Sequence, residues 1–382
     1  MLTEDYDSAV ASFDLIVVGA GILGLAHALA AARRGLRVAV VERDARAAGA
    51  SVRNFGFVTV SGQADGPTRA RALRSRAVWA EVAAPAGIDV LQRGAMVVAR
   101  RAEALAVLRE FASGSMGEGC EVMNAREATH RIPRLREAIA GALSSPHELR
   151  VEAREAIPRL ARWLEGHHRV AFTWGVAALG VEATSVRHAG GRLDADAVVV
   201  TPGGAVTEFA PALAQRVRLR HCKLQMMRLR VPAPDFRLPA VVMSDLSLAR
   251  YEGFASQPAA RRLRERLDAE CGRELANGVH LIVAQSADGS LVVGDSHHYD
   301  DHHDSLSRAE VEGLILGELH SVFALPGVEV VERWIGHYPV TDAGPVLAEE
   351  LAPRARLVAV TSGTGMSTAF AIGEETIASL FG

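Results

Sequence analysis

The sequence predicts an α/β plus α+β fold. A Rossmann-like dinucleotide domain is assembled from both chain ends, with a mostly antiparallel-sheet domain inserted between them. Three observations predict it. A glycine-rich turn joins an apolar run to a helical run near the start. Between residues 217 and 299 the apolar spacing shifts towards a period of two. Residues 357–380 then return to strand, glycine turn and helix.

Taken in order, 14–18 (DLIVV) reads as a buried strand entering Gly19, and 22–34 has helical composition ended by Gly35. Residues 36–41 (LRVAVV) form a second strand that closes on Glu42, completing a βαβ unit. Residues 44–63 are loop-like. Residues 67–84 read as a helix with Trp79 on its apolar face, stopped by Pro85. A strand at 88–99, a helix at 101–111 and an amphipathic stretch at 151–165 interrupted by Pro158 follow, then strands at 170–188 and 194–200. The segments LQMMRLRV, LPAVVMS, VHLIVAQ and SLVVGDS read as antiparallel sheet, with a helix near 261–271. A strand at 357–361, a turn at 362–366 and a helix at 367–380 end the chain. The expected nucleotide domain is 1–94, 150–214 and 345–382; the expected inserted domain is 95–149 and 215–344.

Two domains suit 382 residues. A net charge of −3 gives no field for gathering nucleic acid or anionic membrane. Cys120, Cys222 and Cys271 are widely spaced with no CxxC pair, which predicts a reducing cytoplasm rather than a disulfide framework. Residues 15–32 are apolar enough to suggest a membrane helix, but Gly19, Gly21 and Gly24 argue for a strand, a turn and a helix instead. The preceding Glu4, Asp5 and Asp7 are unlike the basic start of a signal peptide.

The chemistry concentrates at four places. Gly19-Ala-Gly21-Ile22-Leu-Gly24 lies between strand and helix, so Gly19 permits the turn, Gly21 admits a pyrophosphate and Gly24 lets helix meet strand. Glu42 is placed to accept from ribose hydroxyls. Residues 49–56, with Ser51, Arg53 and Asn54, are small and polar, suited to wrapping an extended cofactor. At 361–366 a second glycine turn opens a helix whose N-terminus stabilises negative charge. Lys223 is the single lysine among 42 basic residues, and alternation groups it with Gln225 and Met227 on one strand face. A compact ammonium there is expected to act at the cofactor. The cluster at 297–304 (HHYDDHHD) holds suitable ligands, but neighbours on one short stretch rarely converge, so a solvated loop and no metal centre are expected.

GAGILG with Glu42, the 196–204 strand DAVVVTPGG, Trp334-Ile-Gly336 and the GTGM ending together resemble the D-amino-acid oxidase superfamily, which includes glycine and sarcosine oxidases. The resemblance spans nearly the whole chain. It implies FAD, with a backbone contact from Val176 to adenine. The absence of Cys or His at the tethering positions implies noncovalent binding. Expected cofactor contacts are Gly19, Gly21, Ile22, Gly24, Glu42, Arg43, Ser51, Arg53, Asn54, Val176, Gly203, Gly363, Gly365 and Met366. The resemblance further implies hydride transfer from an amine-bearing carbon to flavin N5, then hydrolysis of the imine. Oxygen or another carrier is the final acceptor.

More narrowly, 51–56 (SVRNFG), 222–227 (CKLQMM) and 288–297 (DGSLVVGDSH) resemble a clade associated with 2-aminoethylphosphonate breakdown. That implies a substrate such as the N-methyl derivative, yielding phosphonoacetaldehyde. Glycine oxidases carry W-x-G-x-R-P, whose Arg binds the substrate carboxylate. Here the stretch is Trp334-Ile-Gly-His337-Tyr338-Pro339, with Tyr338 in place of that Arg. An anionic group then falls to Arg53, Arg250, His297 or His337. Lys223, His337, Tyr338 and Thr364 are the expected catalytic residues; Arg53, Arg250, Tyr251 and His297 are the expected substrate contacts. A glycine, sarcosine or D-amino-acid oxidase or dehydrogenase remains the alternative, and a noncatalytic flavoprotein the remote one.

Overall fold

The computed structural model describes residues 13–302 and 304–382. The acidic start at 1–12 and His303 lie outside the described residues. Two sheets organise the chain. The first runs Val346–Ala352, Ala355–Val360, Gly191–Val200, Phe13–Val18, Val38–Glu42 and Ala171–Trp174. Its five central and trailing strands are parallel and the Val346–Ala352 edge is antiparallel. Strands Phe13–Val18 and Val38–Glu42 are almost wholly buried, as parallel strands covered on both faces must be. This is the expected nucleotide-type sheet, and both chain ends contribute to it.

Helix Ile22–Ala32 and the last helix, Gly365–Phe381, pack on each other. A close approach makes this possible: a Cβ on Gly373 would lie 2.8 Å from the Ala26 carbonyl. Helix Pro67–Val82 covers the last helix. Its Trp79 is fully buried, donates from Nε1 to the Met366 carbonyl at 2.9 Å and meets Phe370 edge-on at 5.1 Å. That contact anchors the 361–366 turn from behind.

The second sheet has ten strands and is antiparallel except where Val241–Met243 runs parallel to Val90–Ala99. Its central ladder pairs Arg220–Arg230 with Glu329–Val340 along nearly their full length. The expected domain borders at 94 and 150 fall inside strands Val90–Ala99 and Gly141–Val151, which pair with each other in this sheet. A register shift at 93–95 lets the ladder continue past the first border. Phe57–Val58 pairs here too, although it precedes 94. The expected strand at 170–188 divides into Ala171–Trp174, Ala178–Glu182 and Ser185–His188, the last two forming a hairpin. Helix Ala309–Val322, helix Ala125–Arg131 with its Asn124–Glu127 capping box, and strand Glu329–Val340 go beyond the elements read from sequence. Among the described residues no helix is long and apolar enough to cross a membrane.

Candidate active site

A cavity of about 690 Å³ is lined by residues of both sheets. The first sheet brings three strand-to-helix or strand-to-loop turns to it: Gly21–Gly24, Thr201 with Gly203, and Thr361–Ser367. Gly19 adopts φ +103°, closed to most side chains, and a Cβ there would sit 2.5 Å from the Thr201 carbonyl oxygen. A Cβ on Gly24 would lie 1.8 Å from the Gly19 carbonyl oxygen, so the third glycine allows the helix to start against the turn. At Gly21 a Cβ would come 2.9 Å from Ser51 Oγ, which in turn accepts from the Ile22 N–H at 3.0 Å.

Neither Gly21 nor Thr364 caps its helix with a side chain, and both helix starts open on the same cavity. A Cβ on Gly365 would meet Ile22 Cγ2 at 3.7 Å, so the two starts are neighbours. Apart from the Ile22 N–H taken by Ser51, the two helix starts bring backbone donors and positive dipole ends to one place, which suits a diphosphate and a ring system that takes up negative charge. The residues therefore fit a dinucleotide cofactor. Thr364 Oγ1 lies 2.8 Å from Ser362 Oγ. Gly363 has φ +72°, and a Cβ there would press Tyr338 Cζ at 2.8 Å.

The expected loop contacts divide. Ser51, Arg53 and Asn54 line the cavity. Asn54 Nδ2 donates to Ala50 and Ser51 carbonyls at 2.8 and 3.0 Å, and its Oδ1 accepts from the Gly56 N–H at 2.7 Å, so it shapes the loop. Arg53 spends its guanidinium on the Ala48 and Ile335 carbonyls at 2.8 and 3.3 Å, which makes it a strut at the cavity rim. The Glu42 carboxylate is buried and accepts from the Ala20 and Asp44 N–H groups at 2.8 and 3.0 Å. It splints the turn, and ribose contact falls to its remaining lone pairs. Val176 donates its N–H to the Glu42 carbonyl at 2.9 Å. Arg43 is not brought to the cavity: it is exposed and reaches Glu208 at 3.5 Å.

Lys223 also departs from expectation. It shares a face with Gln225, as the alternation requires, but that face is the wrong one. Leu224 lines the cavity, whereas Lys223 is buried on the opposite side, ion-paired with Asp304 and donating to the Leu306 carbonyl at 3.1 Å. Gln225 Nε2 binds the Arg308 carbonyl on that same side. His337 pairs with Lys223 across the ladder, and directly opposed residues share a face. Its Nε2–H donates to the Asp304 carbonyl at 2.9 Å, while the residue also lines the cavity. The 297–304 cluster divides for the same reason: His297 is buried at the cavity, while His302 is exposed.

Tyr338 of the second sheet, with Arg250, Tyr251, His280, Asp295 and His297 from the segments that flank its strands, forms the rest of the wall. Arg250 donates to the hydroxyls of Tyr299 and Tyr338 at 3.2 and 3.3 Å. Among the described residues no carboxylate lies within 4.0 Å of its guanidinium, which is accessible from the cavity. Burial pushes the Tyr338 phenol well above its ordinary range, reinforced by Cys222, so it stays neutral and can donate. Burial also raises the Tyr251 phenol.

Asp295 and His280 were missed in the sequence. Their backbones pair, each donating to the other at 3.0 and 3.2 Å, at the end of the ladder between Ile282–Gln285 and Leu291–Gly294. His280 Nε2 lies 3.0 Å from Asp295 Oδ1 and His297 Nε2 lies 3.9 Å from Oδ2. Burial alone would raise the Asp295 carboxyl, but His297, His280 and Arg250 outweigh it and hold the group below the usual carboxylate range. Burial drives His297 the other way, well below its ordinary value against the pull of Asp295, leaving a neutral imidazole. Residues 295–297 lie between strands Leu291–Gly294 and His298–Asp300, so no strand period could have reported that Asp295 and His297 meet.

Comparisons with known proteins bear on the fold and the family. A glycine oxidase of Geobacillus kaustophilus (strain HTA426) is 26% identical over 237 residues, 58% of this chain and 63% of that protein's length. The crystal structure of glycine oxidase from Geobacillus kaustophilus superposes with a TM-score of 0.76 at 21% identity, over 97% of this chain and 94% of that one. Glycine oxidase from Bacillus cereus ATCC 14579 gives 0.78 at 18%, over 97% and 95%. These likenesses show the fold. The model of the family described as FAD dependent oxidoreductase matches residues 14–379, and the chain belongs to that family, with FAD as its cofactor.

Proposed function

We propose that the protein oxidises a small amine carrying an anionic group, a 2-aminoethylphosphonate derivative such as the N-methyl form. The imine product is then hydrolysed to phosphonoacetaldehyde. The observation that carries this reading is Arg250, a cavity cation whose hydrogen-bond partners among the described residues are two phenols and no carboxylate. Arg250 lines the cavity while remaining exposed, so its guanidinium is open to an anion, and its five donors leave several free for phosphonate oxygens. It takes over the task that Arg performs in the W-x-G-x-R-P pattern, where this chain has Tyr338.

FAD would be held by the Gly21–Gly24 turn, the loop through Ser51 and Asn54, Gly203, and the turn at 363–366, and it supplies the acceptor for a hydride. The helix start at Thr364 lowers the cost of negative charge placed against it. Tyr338 and Tyr299 orient Arg250, and the neutral Tyr338 hydroxyl adds a donor. The electron acceptor that follows is oxygen or another carrier. The three cysteines are free, in keeping with a cytoplasmic setting.

Anaerobic titration of the yellow holoenzyme tests the reading. N-methyl-2-aminoethylphosphonate and 2-aminoethylphosphonate are expected to bleach the flavin faster than glycine, sarcosine or D-alanine. Faster bleaching by glycine or D-alanine would overturn the phosphonate assignment and favour an amino-acid oxidase, the second reading that the Geobacillus likeness supports. A flavin bleached by none of these amines would point to a noncatalytic flavoprotein.

A further inference from the structure

We infer that Asp295 and His297 form the subsite that receives the substrate ammonium, so that the cavity holds a zwitterion between Asp295 at one end and Arg250 at the other. The inference rests on the amine reading of the cavity and adds which side chains recognise the nitrogen.

Asp295 is 4% exposed, lines the cavity, and its Oδ1 has no hydrogen-bond partner. Among the described residues neither Lys nor Arg comes within 4.0 Å of the carboxylate; its close neighbours are the imidazoles of His280 and His297. A carboxylate this buried stays ionised only through its neighbours, and with imidazoles rather than Lys or Arg in contact it is a ready receptor for a further cation. His280 Nε2 approaches Oδ1 at 3.0 Å and supports the charge, but off the hydrogen-bonding line, which leaves Oδ1 open to a further donor.

The second acceptor follows from tautomer logic. His297 Nδ1 faces the Gly278 carbonyl at 3.1 Å, and a carbonyl only accepts, so Nδ1 carries the hydrogen. In the neutral ring Nε2 then presents a lone pair. Nε2 and Asp295 Oδ2 stand 3.9 Å apart, too far to bond to each other and both acceptors. A nitrogen with at least two hydrogens bridges such a pair, and a positive one answers the carboxylate charge. The ring cannot easily turn away, because it stacks on His280 with centroids 5.2 Å apart. A primary or secondary ammonium fits; an amine-free acid does not, since it would set a second anion against Asp295. The wall thus discriminates by charge at both ends.

The experiment uses FAD-loaded enzyme, wild type, Asp295→Asn and His297→Gln. Two quantities are read: the amine concentration that half-saturates anaerobic flavin reduction, and the Kd of ethylphosphonate from its perturbation of the flavin spectrum. Asp295→Asn is expected to raise the first by roughly 30-fold or more, as for losing one partner of a desolvated charge pair. His297→Gln should raise it less. Ethylphosphonate should bind Asp295→Asn at least as tightly as wild type, because the repelling carboxylate is gone. Unchanged amine saturation in both variants would overturn the inference. So would equal weakening of amine and ethylphosphonate, which is what simple distortion produces. If Asp295→Asn does not retain FAD, His297→Gln decides alone by the same comparison. Elemental analysis of wild type is expected to find no stoichiometric divalent ion; one held at these side chains would overturn the assignment. Failure of the amine reading itself looks different: wild type would then show no saturable reduction by any amine.

Discussion

Arg250→Met is the sharpest test of substrate polarity. Methionine keeps much of the stem volume and removes the charge. In the wild type the guanidinium spends two long hydrogen bonds, 3.2 and 3.3 Å, on Tyr299 and Tyr338, so most of its donors remain for ligand. Truncating one partner of a desolvated charge pair costs about 2–5 kcal/mol. Arg250 is open to the cavity, which places the loss near the lower part of that range, about 3 kcal/mol, or roughly a hundredfold. Anaerobic stopped-flow reduction of the holoenzyme reads it as the second-order rate constant at low amine. An aminoalkylphosphonate should lose about two orders of magnitude, while n-propylamine, with no anion, should change by less than about threefold. Equal losses for both amines would mean that Arg250 only holds the wall together. No loss for the phosphonate would refute the assignment of Arg250 to the anion.

Gly21→Val should abolish flavin retention, because even a Cβ lies 2.9 Å from Ser51 Oγ and branches would enter the cavity; absorbance of the purified variant checks it, and normal flavin content would show the phosphates lie elsewhere. Lys223→Met should leave reduction by amine and reoxidation by oxygen within about twofold while lowering the melting temperature; a tenfold slowing of either, roughly 1.4 kcal/mol, would return Lys223 to the chemistry. His27 is fully buried, its Nδ1–H donating to the Leu23 carbonyl at 2.7 Å, and burial pushes it down to about 4 despite that bond. Between the ordinary 6.5 and about 4 the unfolded chain binds a proton that the folded chain refuses, so stability falls as pH drops through that window. The gap is worth about 3 kcal/mol, and urea midpoints from pH 7 to 4.5 should fall less steeply in His27→Leu; parallel curves would contradict it.

What could be read from sequence divides along the range of the interactions involved. The GAGILG turn, both flanking strands and the terminal GTGM turn were legible because each is local: Gly19 and Gly24 answer contacts within one βαβ unit or against its neighbour Thr201, and Gly21 answers Ser51 just beyond it. The antiparallel region was legible as a period, and the period correctly grouped Lys223 with Gln225. A period does not say which face meets the cavity. That choice is made by the long ladder of Arg220–Arg230 with Glu329–Val340 and by the 304–308 segment, which covers the Lys223 side and leaves Leu224 and Tyr338 facing the cofactor region. Lys223 was therefore misplaced, whereas His337, its partner in the ladder, still lines the cavity.

The same logic explains the polar residues that escaped notice. His280 sits inside VHLIVAQ, where a single polar residue among apolar ones reads as an interruption of the core. Its significance appears only when the return strand brings Asp295 directly opposite, with both backbone bonds made. Arg250 lies outside any strand, following a short 3-10 turn at Asp245–Ala249, so no periodicity reports its direction. The cavity thus draws its cofactor-facing turns from local motifs and its charged pair, Arg250 and Asp295, from pairings far apart in sequence. Phosphate-binding glycines can stay fixed in one unit while register in the other sheet exchanges the groups that meet the substrate. For the proposed substrate class the informative substitutions are accordingly Asp295→Asn and Arg250→Met rather than changes in the glycine turns.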